Sequence, residues 1–206
     1  MTDKLDMKTD LSNKTFSITI AEPATLGLIG LAIAALVLAS SALKLASTTS
    51  ESLIIPWTLF LGATAQLIAG IMDFKRNNIF GATVFTTYSL LWYSVSLTLF
   101  ITIFTEVAFD LTHYAYGLLG FLIFSIILTV ASIMVNKTLF TILIFIDLAL
   151  LTLILNIIYK TPAELVGVFL IFVSIFSFYG AAGVLINSMS GKIIIPLGKP
   201  FLKQKH

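Results

Sequence analysis

The stretch from Gln66 to Tyr93, "QLIAGIMDFKRNNIFGATVFTTYSLLWY", decides the fold. It joins two apolar runs through a short knot of charge and amide: Asp73, Lys75, Arg76, Asn77 and Asn78. A helix rises about 1.5 Å per residue, so about 20 apolar residues cross a hydrocarbon layer about 30 Å thick. The runs on either side of the knot, about 53–72 and 80–104, are both long enough. The knot therefore reads as a hairpin whose charges anchor two helix ends at the lipid headgroups.

Working outward, four more segments of the same kind follow, about 25–46, 115–135, 138–158 and 163–187. The breaks between them, "KLASTTSES", "TEVAFDLTH", "NK" and "YKTPAE", carry turn or charge signals. Segment length and the lack of short alternating runs argue for helices and against a membrane β-barrel. Composition agrees, since 58% of the residues are hydrophobic and 11% charged, where a soluble domain carries about 25% charge. The expected fold class is an all-α membrane protein with six transmembrane helices. Net charge is only +2 and no basic stripe is interleaved with exposed aromatics, so nucleic acid is not an expected partner. Cysteine is absent, which excludes disulfides, thiolate metal sites and cysteine nucleophiles.

Lysine and arginine are retained on the cytoplasmic side of a membrane. With six spans, both termini share a side with the second-to-third and fourth-to-fifth loops. That side holds Lys4, Lys8, Lys14, Lys75, Arg76, Lys137, Lys192, Lys199, Lys203 and Lys205, against Lys44 and Lys160 on the other. The count predicts cytoplasmic N and C termini. The opening "MTDKLDMKTDLSNKTFSITI" has no central apolar run and does not read as a cleaved signal peptide. The expected organisation is a cytosolic tail over 1–20, a six-helix domain over 21–190 and a cytosolic tail over 191–206 in a multi-pass protein of the cell membrane.

Polar side chains at membrane depth should face other helices or a water-filled path. Thr83, Thr86 and Thr87 can satisfy themselves on their own helix carbonyls. Gln66, near the middle of the second span, offers two donors and an acceptor, and either interhelical bonding or path lining accounts for it. Asp147 sits about halfway along the fifth span, where an aspartate costs about 2.5–3.5 kcal/mol to insert. It is read as either a structural acid bonded to a neighbouring helix or a proton-coupling candidate. No span centre carries lysine, arginine or histidine, which argues against a fixed cationic site for a large polyanion. Acids and histidines do not fall at ligand spacing, so neither metal nor cofactor is expected. Small-residue clusters at "GLIG" (27–30), "GLLG" (117–120) and "GAAG" (180–183) permit close helix approach. Glu22 with Pro23 reads as a charged helix start or as part of a pathway mouth.

Three blocks carry a family resemblance. "EPATLGLIGL" (22–31) resembles Asn-Pro-Ala-Pro-Leu-Gly-Leu followed by a small pair and Phe. "AQLIAGIMDFKRNNIFGATVFTTYSLLW" (65–92) is similar to a run of Gln, Ala-Gly, an acid, basic residues, Asn, Phe-Gly, Thr, Phe-Thr-Ser-Tyr and Trp. "FYGAAGVLINSMSGKIIIPLG" (178–198) matches Tyr, small residues, Leu-x-Asn and a final Pro-x-Gly. In this order they resemble the acetate uptake transporters, also called succinate–acetate permeases. That resemblance implies a channel-like six-helix bundle passing small carboxylates, acetate above all, in a homo-hexamer with a separate path through each subunit. It also implies a constriction of Phe, Tyr and Leu from different helices, which falls here on Leu31, Tyr88 and Ile146. Leu31 for Phe, Glu22 for Asn and Thr25 for Pro are departures, and an added carboxylate at the entrance would repel an anion unless protonated.

The expected function is membrane transport of a small carboxylate such as acetate, with succinate and other small acids as alternatives, by a channel or a proton-coupled symporter. Gln66, Thr87 and Glu22 are the substrate-binding candidates, and Asp147 and Glu22 the proton-coupling candidates. An intramembrane enzyme would need a nucleophile and base, or paired acids, converging at depth; only Asp147 lies deep enough, so no enzyme is expected. A non-transporting sensor or assembly protein on the same scaffold is the alternative.

Overall fold

A computed structural model describes residues 20–105 and 109–202. Six long apolar helices run through it, and the described residues contain no strand. They are α1 (Ala24–Ala42), α2 (Thr48–Lys75), α3 (Ile79–Phe104), α4 (Thr112–Ser132), α5 (Lys137–Tyr159) and α6 (Glu164–Ser190). The expected cytosolic tail through residue 19, and Lys203 and Lys205 at the other end, lie outside the described residues. Observed ends depart from the expected spans by a few residues, because capping groups rather than hydropathy set them. Lys44 takes a left-handed backbone (φ 56°) just beyond α1, while Asn78 and Asn136 accept from the Gly81 and Leu139 amides to open α3 and α5.

α1 sits at the centre, packed on α6 and α2. α2 packs on α3, and α5 lies between α4 and α6, whereas α3 and α4 barely touch. α2 is not uniform: a tight 3-10 turn over Thr48–Leu53 and one α turn over Ile54–Trp57 lead into a π-helical segment, Thr58–Ala65. The regular α-helix resumes at Gln66. The Thr64 hydroxyl donates to the Leu59 carbonyl, five residues back, at 2.9 Å, beside the wider backbone turn of the π-helix. This segment is where α1 comes closest, for a Cβ on Gly30 would overlap the Leu61 carbonyl oxygen.

The three small-residue clusters behave differently. Gly27 and Gly30 lie against Phe85 and Leu61, and Gly180 faces Leu28 and Thr138. Gly117 and Gly120 have no atom within 4 Å of where a Cβ would stand. The expectation of close packing at 117–120 is thus corrected within the protomer, because α4 leans away from α3 and leaves a lateral groove of about 650 Å³.

Residues 191–202 fold back on the bundle as a strap. Asn187 holds it, its Oδ1 accepting from the amides of Ile194 (2.7 Å) and Ile195 (2.9 Å) and its Nδ2 donating to the Ile195 carbonyl (2.8 Å). Farther along, the Leu197 carbonyl accepts from the Thr138 amide and hydroxyl, and Tyr179 donates to the Pro196 carbonyl at 2.6 Å.

Candidate functional site: a string of cavities through the bundle

Three spaces follow one another through the bundle. At the end that carries the Asp73–Asn78 hairpin and the strap is a vestibule of about 710 Å³, lined in part by Glu22, Asp73, Asn78, Asn136 and Asn187. Its inner wall, including Leu28, Phe80, Phe85 and Leu139, is shared with a small cavity of about 20 Å³. Beyond that lies a third cavity of about 60 Å³ among Leu38, Trp92, Leu150 and Val166. Leu31, Tyr88 and Ile146 line both inner cavities. These three side chains, from α1, α3 and α5, stand between the two inner cavities, and all are buried. The small cavity has room for about one water.

Helical spacing puts these residues inward. Leu28 and Leu31 lie three apart on α1, and Val84, Tyr88 and Trp92 lie at intervals of four on α3, so each set forms one stripe. The Tyr88 ring rests edge-on against Phe121, with centroids 5.1 Å apart and planes at 74°.

At the two inner cavities, two buried polar groups have no protein hydrogen-bond partner. Gln66 is 1% exposed and lines the small cavity, and neither its Nε2 nor its Oε1 is bonded. Trp92 lines the larger cavity with its indole N–H unbonded. A buried unpaired group costs about 1–3 kcal/mol, and interhelical glue would be bonded to its neighbour. Sequence reasoning gave Trp92 no role beyond its place in the 65–92 block. An indole N–H one helical turn from Tyr88, on the same stripe, was the available signal.

At the vestibule the charges are paired. Arg76 Nη2 lies 2.7 Å from Glu22 Oε2, and Arg76 Nη1 lies 3.6 Å from Asp73 Oδ1. The Arg76 hydrogen bond holds the Glu22 carboxyl below the ordinary carboxylate range, against the opposing effect of burial. The expectation of a bare, repelling carboxylate at position 22 is therefore corrected. A second correction concerns Asp73, read from sequence as a headgroup anchor: its side chain is fully buried against Gly81 at the start of α3, and neither carboxylate oxygen has a hydrogen-bond partner.

Because the Glu22 carboxyl is held low, its contribution to stability is complete above its ordinary value of 4.5 and disappears as pH falls through the depressed value. We expect Glu22→Gln to remove that part of the acid sensitivity while costing about 0.2–1 kcal/mol at neutral pH, as for a half-exposed ion pair. Thermal unfolding of the two proteins in detergent across the acid range is the measurement. Coincident curves would show that the pair contributes nothing.

Not every candidate lies on this string. Thr87 donates back to the carbonyls of Thr83 (2.7 Å) and Val84 (3.2 Å) and faces the lateral groove between α3 and α4. Asp147 lines none of the three spaces, since its neighbour Ile146 takes the inward position and the next residue points about 100° away. Its carboxylate instead accepts from Ser125 and Thr129 on α4. Leu31, Tyr88, Ile146 and Gln66 are thus brought together, Glu22 stands at the vestibule, and Thr87 and Asp147 stand apart.

Comparison with known proteins places this geometry. A solved structure of the bacterial acetate channel SatP superposes with a TM-score of 0.79 at 22% identity, over 87% of this chain and all of that one, so the fold is shared. The succinate-acetate/proton symporter SatP of Escherichia coli K12 is 33% identical over 73 residues, which span 35% of this chain and only 38% of that protein. The glyoxylate pathway regulator of Yarrowia lipolytica is 27% identical over 190 residues, 88% of this chain and 70% of the relative. An ammonia transport outward protein of Saccharomyces cerevisiae is 34% identical over 74 residues, 36% of this chain and 26% of that protein. The GPR1/FUN34/yaaH family model matches residues 6–199, and with six apolar helices in the shared fold the chain is a multi-pass membrane protein belonging to that family.

Proposed function

We propose that this protein transports small carboxylates, acetate foremost, across the membrane through a narrow path in each protomer. The observation that supports this most directly is the unpartnered Gln66 amide in the cavity beside Leu31, Tyr88 and Ile146. A carboxylate entering from the vestibule sheds water there and accepts from the Gln66 N–H groups, while the apolar constriction keeps bulk water out. Past the constriction, the second inner cavity is walled by apolar groups, Leu38, Leu150 and Val166 among them. In this reading Gln66 is the binding group, the Glu22–Arg76 pair stands at the mouth, Leu31, Tyr88 and Ile146 are the gate, and the protein is a transporter rather than an enzyme. Cytoplasmic termini, with residues 21–190 as the membrane domain, and a hexameric assembly belong to the same proposal. The first rests on the Lys and Arg count, the second on the family resemblance.

Uptake of labelled acetate into liposomes holding the purified protein tests it. The expected result is flux well above that of protein-free vesicles, reduced by competing small carboxylates. Uptake no faster than through bare lipid rejects the transport reading and leaves a sensor or assembly role on the same scaffold.

A further inference from the structure

The Tyr88 hydroxyl does not end in the path. It lies 2.6 Å from Ser125 Oγ on α4, Ser125 in turn is hydrogen-bonded to Asp147 Oδ1 on α5, and Thr129 Oγ1 reaches Asp147 Oδ2 at 2.7 Å. Ser125 is fully buried and lines none of the spaces through the bundle. When Asp147 is ionised, proton counting fixes the polarity of this chain. An ionised carboxylate only accepts, so Ser125 donates its single proton to Asp147 and must accept from Tyr88. The bond from Ser125 to Asp147 is then charge-assisted, roughly twice as strong as a neutral one. Because α3 and α4 scarcely touch elsewhere, this chain and the Phe121 edge contact are what bridge those helices beside the constriction.

We propose that Ser125 and Asp147 are positioning residues that tether the Tyr88 ring across the path, so that Asp147 acts on the constriction without meeting the solute. The flux consequence rests on the transport reading; the tether itself does not. When Asp147 takes up a proton, Ser125 loses its charged acceptor, the pull on Tyr88 weakens, and the ring is freer to leave the path. No second charge sets this response. The other titratable side chains of α3, α4, α5 and α6 lie elsewhere: Tyr93 shares a hydrogen bond with Thr64, and His113, Tyr114 and Tyr116 stand in the first turns of α4. Lys137 and Tyr159 are at the ends of α5, Glu164 begins α6, and Tyr179 is bonded to Pro196. Asp147 has no cation within salt-bridge distance among the described residues.

The test combines two readouts on reconstituted wild-type protein and the variants Ser125→Ala, Ser125→Thr and Asp147→Asn. The first is the ratio of acetate flux to flux of a larger dicarboxylate, measured across pH. Loss of a hydrogen bond of this kind corresponds to roughly tenfold or more, so Ser125→Ala should lower the ratio by about that factor and flatten its pH dependence. Ser125→Thr, which keeps the hydroxyl, should restore both. Asp147→Asn should abolish the pH dependence, and the Ser125→Ala/Asp147→Asn double variant should match Ser125→Ala. The second readout is pH-difference infrared spectroscopy, with the Tyr88 C–O–H band assigned through Tyr88→Phe. That band should move with protonation of Asp147 in the wild type and stay fixed in Ser125→Ala. A ratio and a tyrosine band that respond to pH in Ser125→Ala as in the wild type would overturn the tether. If wild-type vesicles pass no carboxylate, the transport reading fails, and the infrared arm alone decides the tether.

Discussion

Gln66→Met should cut acetate flux by about 10-fold to 100-fold and at the same time leave the protein as stable as before or more so. The two signs come from one observation. Gln66 is buried with every polar atom unpaired, so in the resting protein its amide contributes desolvation cost without a compensating bond, about 1–3 kcal/mol. Methionine fills a similar volume without polar atoms and removes that cost. During permeation the amide would donate to a carboxylate, a charged partner worth about 1.5–3 kcal/mol, and losing it yields the predicted factor. Flux in liposomes and thermal unfolding in detergent, on the same preparation, check both. A variant that loses stability and keeps its flux would show Gln66 to be structural glue, and the proposed binding role would fall.

Gly30→Ala is the second large effect, and it should act on the fold. A methyl at position 30 would overlap the Leu61 carbonyl oxygen and lie 3.2 Å from the Ala65 Cβ. The obstacle is backbone, so it cannot swing aside; α1 must move off the π-helical segment of α2. Overpacking of this kind costs about 1–3 kcal/mol, partly offset by about 1 kcal/mol of helix propensity gained over glycine. Gly117→Ala is the internal control, because its Cβ meets open space and only the propensity gain applies. The two variants should therefore shift unfolding in opposite directions, Gly30→Ala down and Gly117→Ala up. Leu31 adjoins the displaced position, so Gly30→Ala should also loosen the discrimination between acetate and larger acids. Equal unfolding midpoints for the two variants would show that the contact between α1 and α2 is not tight.

Six spans, their approximate bounds and the all-helical class were legible in the chain, because hydropathy over about 20 residues is a local property and the bilayer leaves few ways to satisfy a backbone. Two family blocks carried positions 31 and 88, the family's constriction added 146, and all three side chains line the same two inner cavities. What the chain did not disclose was the partner of each polar group. Glu22 and Arg76 are 54 positions apart in sequence yet 2.7 Å apart in space, and Asp73, one turn before the charged turn, is interior rather than anchored at headgroups. Thr87 and Tyr88 are neighbours in sequence, but one faces the lateral groove and the other the constriction, since adjacent residues on a helix diverge by about 100°. The hydrophobic pattern told which segments enter the membrane. Only the packing of α1 against α2 and α6, and the lean of α4 away from α3, decided which faces enclose the cavities, because a hydrogen bond is set by angstroms between helices and not by spacing along one.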